Sequence, residues 1–235
     1  MPVYPTILTD DEAVLQDQLN LCQDMPDLEA VQIDLIDGDF VDHHTVKLQA
    51  VVEAEKYELP LDFHLMVNEP MDTVWELIEW KDQLNIRTVI AQIERMTYPL
   101  DYMSELKKHD WKVGLALDIY TPWEEIDPAW LIDVDMIQLL GGPAGIQGQA
   151  LHDQIWPKLK EVNKTLTEFY ATSAFKTAAV KKPIEITVDV GVDFETAPKL
   201  IAAGVSGLAV GHVLWKADDT IEAYKQLQDL LIPEN

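Results

Sequence analysis

The sequence predicts an α/β protein with a (β/α)8 TIM-barrel fold in a single domain over residues 1–235. Three observations support this: short apolar runs alternate with amphipathic helical patterns, eight such units follow one another, and 235 residues is an ordinary length for a closed barrel. An open doubly wound sheet is the alternative, but no Gly-x-Gly-x-x-Gly follows the first strand. In a barrel, polar residues late in different strands meet at one mouth.

The strand-like runs lie at residues 4–9, 31–36, 61–67, 88–93, 113–117, 136–140, 184–188 and 207–211. Asp10 and Asp11 follow the first run and are typical of the cap and first turn of a helix. Further helical patterns cover 44 or 45 to about 56, 73–80 after the break at 68–70, and 220–231. Residues 163–182 predict a helix with an extended or mobile tail.

Composition limits the partners. The formal charge is −25, from 17 basic and 42 acidic residues, which opposes binding to nucleic acid or to an anionic membrane surface. The single cysteine, Cys22, excludes an internal disulfide and is expected in the core. No targeting pattern opens the chain and no apolar run is long enough to span a bilayer, so we expect a cytoplasmic protein.

The second strand carries two aspartates with different expected roles. Asp34 lies inside an apolar run, where a carboxylate must be paired, hydrogen-bonded or bound to a metal. Asp37 precedes Gly38, and an aspartate at such a position commonly caps a loop. We therefore treat Asp34 as a candidate site residue and Asp37 as a loop cap.

Other polar residues late in strands are Gln32, His64, Gln92, Glu94 and Asp189. A lone histidine in a strand is more often a core residue bonded to backbone. Two aspartates from nearly opposite sides of a barrel, with a histidine between them, suit a two-base proton transfer next to a carbonyl. The convergence of three polar residues at one mouth therefore favours a catalytic site.

Motifs along nearly the whole chain resemble those of ribulose-phosphate 3-epimerases. The family's strand-two pattern His-x-Asp-x-Met-Asp-Gly-x-Phe-Val is similar to residues 32–41, with Gln32 in place of the histidine. Further similar motifs, in the same order as in the family, lie at residues 64–70, 114–122, 145–149 and 184–192. The resemblance implies a barrel enzyme of the pentose phosphate pathway that epimerises a ketopentose phosphate through an enediolate.

The resemblance also implies roles for individual residues. Asp34 and Asp189 become the catalytic acid–base pair and, with His64, three of the four ligands of a divalent metal such as Zn, Fe, Mn or Co. The fourth ligand is a histidine in the family and Gln32 here. A neutral amide oxygen is a weaker donor than imidazole toward these metals, so Gln32 is expected to lower metal occupancy.

The implied partner is a small-molecule sugar phosphate, with neither nucleic acid nor membrane, and a homo-oligomer is a further expectation. Val190 replaces the first glycine of the family's strand-seven pair, and His212 replaces a small residue. The implied substrate-binding residues are Thr9, Met66, Gly145, Gly148, Gly191, Gly211 and His212.

Three functional hypotheses stay open at this point. The first is the epimerase, supported by both aspartates. The second is a divergent barrel that has lost the reaction and binds another sugar phosphate or a protein partner, supported by Gln32, Val190 and His212. The third is a related epimerase or aldolase, although no lysine lies late on a strand to form a Schiff base.

Overall fold

A computed structural model describes residues 1–55, 58–177 and 182–231. Eight parallel strands close into a barrel in which each strand pairs with the next and β8 pairs with β1, confirming the predicted fold class. The strands are β1 (Val3–Ile7), β2 (Val31–Ile36), β3 (Leu61–Met66), β4 (Ile86–Gln92), β5 (Lys112–Leu117), β6 (Met136–Leu140), β7 (Glu185–Asp189) and β8 (Gly207–Val210).

Helices surround the strands, and a continuous apolar core fills the space between the two layers. None of the helices within the described ranges is long and apolar enough to cross a bilayer. The helices are α1 (Glu12–Gln23), α2 (Leu48–Glu53), α3 (Pro70–Glu79), α4 (Pro99–Lys108), α5 (Ile155–Ala171), α6 (Ser173–Thr177), α7 (Thr196–Ala202), α8 (His212–Trp215) and α9 (Thr220–Leu230).

Most strand positions are buried because alternate residues face the helices and the barrel interior. Ile33 and Leu35 of β2 join the outer core, whereas Gln32 and Asp34 lie inside the barrel. Asp34 of β2 pairs in register with His64 of β3. The register therefore brings the two polar residues side by side at the carboxyl end of the barrel.

Charged and aromatic side chains close the opposite end of the barrel. Arg87 Nε donates to Asp62 Oδ1 at 2.8 Å, and its Nη2 contacts the other oxygen of the same carboxylate. The guanidinium also stacks on the Tyr4 ring, 4.5 Å from its centroid, and Tyr4 Oη donates to Glu185 at 2.6 Å. Asp62 is almost fully buried, so Arg87 is the group that compensates its charge.

Several element boundaries differ from the sequence predictions. The first strand ends at Ile7 rather than residue 9. The second helix begins at Leu48 rather than 44 or 45, because the Thr45 hydroxyl accepts the Ile36 N–H and holds this segment on β2. This helix ends at Glu53, so its predicted continuation is wrong over residues 54 and 55, while the predicted end at about residue 56 lies outside the described residues. The third helix begins at Pro70 rather than residue 73, since proline fits the first helical position.

The helix predicted within residues 163–182 is confirmed as far as Ala171, whereas the extended tail predicted after it is wrong for residues 173–177. There α5 runs to Ala171 and is followed by α6, whose Phe175 packs against the rings of Phe169 and Tyr170. The predicted tail at residues 178–181 lies outside the described residues. Burial of Cys22 confirms its expected place in the core.

Candidate active site

A cavity of about 350 Å³ opens at the carboxyl ends of the strands. Asp34 from β2, His64 from β3 and Asp189 from β7 line its inner end, as the sequence predicted. All three are at least nine-tenths buried, and each offers a ligand atom within 4.8 Å of the others. A volume of this size is sufficient for a small sugar phosphate.

His64 lies between the two carboxylates. Its Nδ1 is 3.2 Å from Asp34 Oδ1 and 3.8 Å from Asp189 Oδ2, while its Nε2 is 3.0 Å from the Gln92 amide nitrogen. Contacts on both ring nitrogens fix the plane of the imidazole. The histidine therefore belongs to the site, and the alternative of a core histidine bonded only to backbone is excluded.

Gln32 lies beneath the cavity and joins the two carboxylates. Its Nε2 donates to Asp34 Oδ1 at 2.8 Å and to Asp189 Oδ2 at 2.9 Å. The same nitrogen is 3.5 Å from His64 Nδ1. One amide group thus contacts all three residues that line the inner end of the cavity.

Gln138 of β6 belongs to the same cluster and was not among the predicted residues. Its Nε2 is 3.3 Å from both Asp189 Oδ2 and His64 Nδ1, and its Oε1 accepts from the Thr187 hydroxyl. Gln138 could be recognised from the sequence in the same way as Gln32, because it is a polar residue inside an apolar strand. Glu94 is exposed and accepts the Asp118 N–H, so it does not join the cluster.

Burial and charge shift the pKa values of two cluster members. Burial, reinforced by the neighbouring charge of Asp34, raises the pKa of Asp189 to about 6, although His64 and the Gln32 hydrogen bond oppose the shift. Burial alone would lower the pKa of His64, but its hydrogen bond to Asp34 and the two aspartate charges raise it overall. Asp189 is therefore poised to exchange a proton near neutral pH.

Asp34, His64 and Asp189 form a buried donor group that could bind a metal ion. The carboxylate and imidazole donors suit a divalent cation. The fourth residue does not fit, because Gln32 presents N–H groups to the two carboxylates rather than an oxygen to a cation. As arranged, the four residues do not fit a metal site.

The outer end of the cavity is formed by loops after β6, β7 and β8. Gly148 and Gly191 adopt left-handed backbone conformations with φ of 74° and 75°. A Cβ at Gly191 would lie 2.4 Å from the Leu151 nitrogen, and one at Gly148 would lie 3.0 Å from the His212 ring. Backbone conformation and packing therefore both favour glycine at these two positions, and the His212 ring lies beside Gly148.

Val190 keeps the backbone conformation of a glycine. Its φ is 70°, an outlier for a β-branched residue, and its N–H donates to Asp189 Oδ1 at 2.7 Å. The side chain of Val190 lines the cavity and approaches Gly142. Valine at this position therefore adds apolar bulk beside the cavity while adopting a backbone conformation that favours glycine.

The remaining predicted binding residues divide between the cavity and its surroundings. Met66, Gly145 and Gly211 line the cavity, and Met66 packs in an apolar cluster above the carboxylates. At the end of β1 the cavity is lined by Thr6 and Leu8 instead of the predicted Thr9. The Thr9 hydroxyl accepts the Asp11 N–H. Asp37 caps its loop as expected, accepting N–H groups from Asp39, Phe40 and Asn68.

Comparison with known proteins agrees with this arrangement. The sequence profile described as the Ribulose-phosphate 3 epimerase family matches residues 2–215. The chain belongs to the ribulose-phosphate 3-epimerase family. It is 29% identical to the ribulose-phosphate 3-epimerase of Bacillus subtilis (strain 168), covering 96% of this chain and 97% of that protein. It is 28% identical to the chloroplastic ribulose-5-phosphate-3-epimerase of Arabidopsis thaliana, covering 96% and 75%.

Solved structures that resemble the chain share its fold at low sequence identity. A mutant tryptophan synthase α-subunit from the hyperthermophile Pyrococcus furiosus superposes with a TM-score of 0.65 at 14% identity, covering 98% of this chain and 97% of that chain. The phosphoribosyl anthranilate isomerase of Thermus thermophilus gives 0.59 at 16% identity, with 98% of each chain covered. These matches support the barrel fold alone.

Proposed function

We propose that this protein epimerises a ketopentose phosphate, with ribulose 5-phosphate as the substrate to test. The observation that carries the proposal is the meeting of Asp34 and Asp189, far apart in sequence, at the inner end of one buried cavity beside His64. Family membership supports the same reaction, because the curated relatives are ribulose-phosphate 3-epimerases.

The two carboxylates divide the proton transfer between them. One removes the proton from the carbon beside the carbonyl, and the other, protonated, returns a proton to the opposite face of the enediolate. The raised pKa of Asp189 suits this exchange, since a group near its pKa both accepts and donates readily. His64, held between the aspartates with a raised pKa, would place positive charge beside the enediolate and offset the negative charge that develops there.

The glycine-rich outer end would hold the phosphate. None of the cavity-lining side chains within the described ranges is a lysine or arginine, so the phosphate would depend on backbone N–H groups and on His212. Bound there, the phosphate would fix the sugar with its reactive carbon over the aspartates. Orientation of this kind contributes much of the rate enhancement in reactions that need little covalent chemistry from the protein.

The alternative, a barrel without epimerase activity, is not favoured by any of these observations: both aspartates are retained, and the cavity between them and the glycine loops is open. A cytoplasmic location and a homo-oligomeric assembly stay predictions from the sequence. The absence of nucleic-acid and membrane partners likewise stays a prediction that follows from the charge of −25.

The test is turnover of ribulose 5-phosphate by the wild type and by Asp34→Asn and Asp189→Asn, with folding checked by circular dichroism. Both variants should lose epimerisation, since each removes one of the two bases. Asp11→Asn is the matched control, because Asp11 caps α1 and asparagine caps a helix equally well. A folded wild type without turnover, or full turnover by Asp34→Asn or Asp189→Asn, would refute the proposal.

A further inference from the structure

We propose that the Gln32 amide occupies the place that a divalent cation takes in a metal-dependent site, so that this chain transfers protons without a metal. The inference rests on the proposed function and deepens it. It assigns Gln32 as a positioning residue, acting through the two aspartates rather than on the substrate. Its basis is the location of one atom, the amide nitrogen.

That nitrogen lies close to one atom of each of the three residues that line the inner end of the cavity. It is 2.8 Å from Asp34 Oδ1, 2.9 Å from Asp189 Oδ2 and 3.5 Å from His64 Nδ1. Ionised carboxylate oxygens only accept hydrogen bonds, so they determine the orientation of the amide: the NH₂ group, not the oxygen, must face them. Gln32 therefore supplies the partial positive charge that buried carboxylates require.

The difference between glutamine and histidine at this position is chemical as well as steric. An amide nitrogen carries two hydrogens and can donate to two acceptors from one atom, whereas an imidazole nitrogen carries at most one. Glutamine at position 32 can thus bridge the carboxylates of Asp34 and Asp189 by itself. A single ring nitrogen carries one hydrogen at most, so it cannot donate to both carboxylates in this way.

Gln138 extends the same arrangement from the opposite side. Its NH₂ group lies 3.3 Å from Asp189 Oδ2, and the Thr187 hydroxyl donates to its oxygen, which orients the amide nitrogen inward. Asp189 Oδ2 therefore faces amide donors from both β2 and β6. A cation that entered the cluster would have to break both Gln32 hydrogen bonds and turn the amide over, which opposes metal binding.

The experiment compares the wild type with Gln32→His, which restores the fourth imidazole donor. Both proteins are stripped with a chelator, their metal content is measured by mass spectrometry, and Co²⁺ binding is followed by its visible absorption. We expect stripped wild type to retain its kcat and KM and to bind Co²⁺ at least about tenfold more weakly than Gln32→His, the scale on which single changes at metal sites act. Gln32→His should require metal for turnover.

A second variant separates positioning from simple structural support. Gln32→Met keeps a similar volume but removes the N–H donors, so kcat should fall at least about tenfold with little change in KM. Because a smaller folded fraction would also lower the apparent kcat, kcat is expressed per folded protein measured by circular dichroism. An unchanged kcat per folded protein would show that Gln32 only supports the fold and would overturn its positioning role.

The inference is overturned if wild type loses turnover on stripping and regains it with metal, or if it binds Co²⁺ as tightly as Gln32→His. These outcomes differ from failure of the proposed function. If wild type has no turnover at all, the Co²⁺ comparison still decides whether the amide excludes a cation.

Discussion

The pH dependence of stability should reveal that the Asp189 carboxylate is held in the interior beside Asp34. The change to make is Asp189→Asn, which keeps the shape of the side chain and removes its charge. Wild type and variant are compared at pH 4 and pH 7. At pH 4 Asp189 is protonated in the folded wild type, and at pH 7 it is ionised.

The expected magnitude follows from the pKa shift. Burial and the Asp34 charge raise the pKa of Asp189 from 3.8 to about 6 in the folded protein. Because the folded state holds its proton more tightly than the unfolded state, the contribution of Asp189 to stability is greatest below pH 4 and is lost as the pH rises through 6. A shift of two pKa units corresponds to roughly 3 kcal/mol.

The stability difference between Asp189→Asn and wild type should therefore move in favour of the variant by roughly 2 kcal/mol between pH 4 and pH 7, less than the full value because the unfolded carboxyl is already partly ionised at pH 4. Hydrogen bonds that asparagine gains or loses are present at both pH values, so they cancel in this comparison. The assay is urea unfolding followed by circular dichroism at each pH.

Asp37→Asn is the matched control and should show the opposite sign. Burial acts to raise the pKa of Asp37, but N–H groups of Asn68, Phe40 and Asp39 outweigh it and lower that pKa overall. Asp37 therefore stabilises the fold above its unfolded pKa and loses that contribution as the pH falls. An equal pH response of the two variants, or none for Asp189→Asn, would refute the placement of Asp189 beside Asp34.

Two further predictions concern the Arg87–Asp62 ion pair, at the end of the barrel opposite the cavity, and Val190 in the cavity lining. Arg87→Met should destabilise the fold by about 3–5 kcal/mol in urea unfolding, because it leaves the Asp62 carboxylate buried without a partner; adding Asp62→Leu should recover most of the loss. A double variant no more stable than Arg87→Met would contradict this reason. Val190→Gly should lower KM for ribulose 5-phosphate by removing side-chain bulk from the cavity, and an unchanged or raised KM in steady-state kinetics would exclude that role.

The fold could be predicted because its signals are local and repeated. Strands β2 and β6 were predicted at their observed bounds, since apolar runs closed by glycine or turn residues mark both ends. Boundaries failed where tertiary contacts decide them. Thr45 is held on β2 by its hydroxyl, and Phe175 folds back onto α5 through ring contacts that sequence periodicity does not encode.

The residues of the site could be predicted from the sequence, but the contacts between their side chains could not. Polar residues in buried strands stand out, which identified Asp34, His64 and Asp189 and would also have identified Gln138. The sequence does not say which end of the Gln32 amide faces the carboxylates. That orientation depends on the register that brings β2 and β7 to the same cavity.

The most direct test of the central claim is proton exchange during a single passage through the site. Wild type is incubated with ribulose 5-phosphate in heavy water, and proton NMR follows the third carbon of substrate and product early in the reaction. Two-base transfer through Asp34 and Asp189 predicts product that carries deuterium at this carbon while unreacted substrate keeps its hydrogen. Product that keeps the substrate's own hydrogen, or no product at all, would contradict the account.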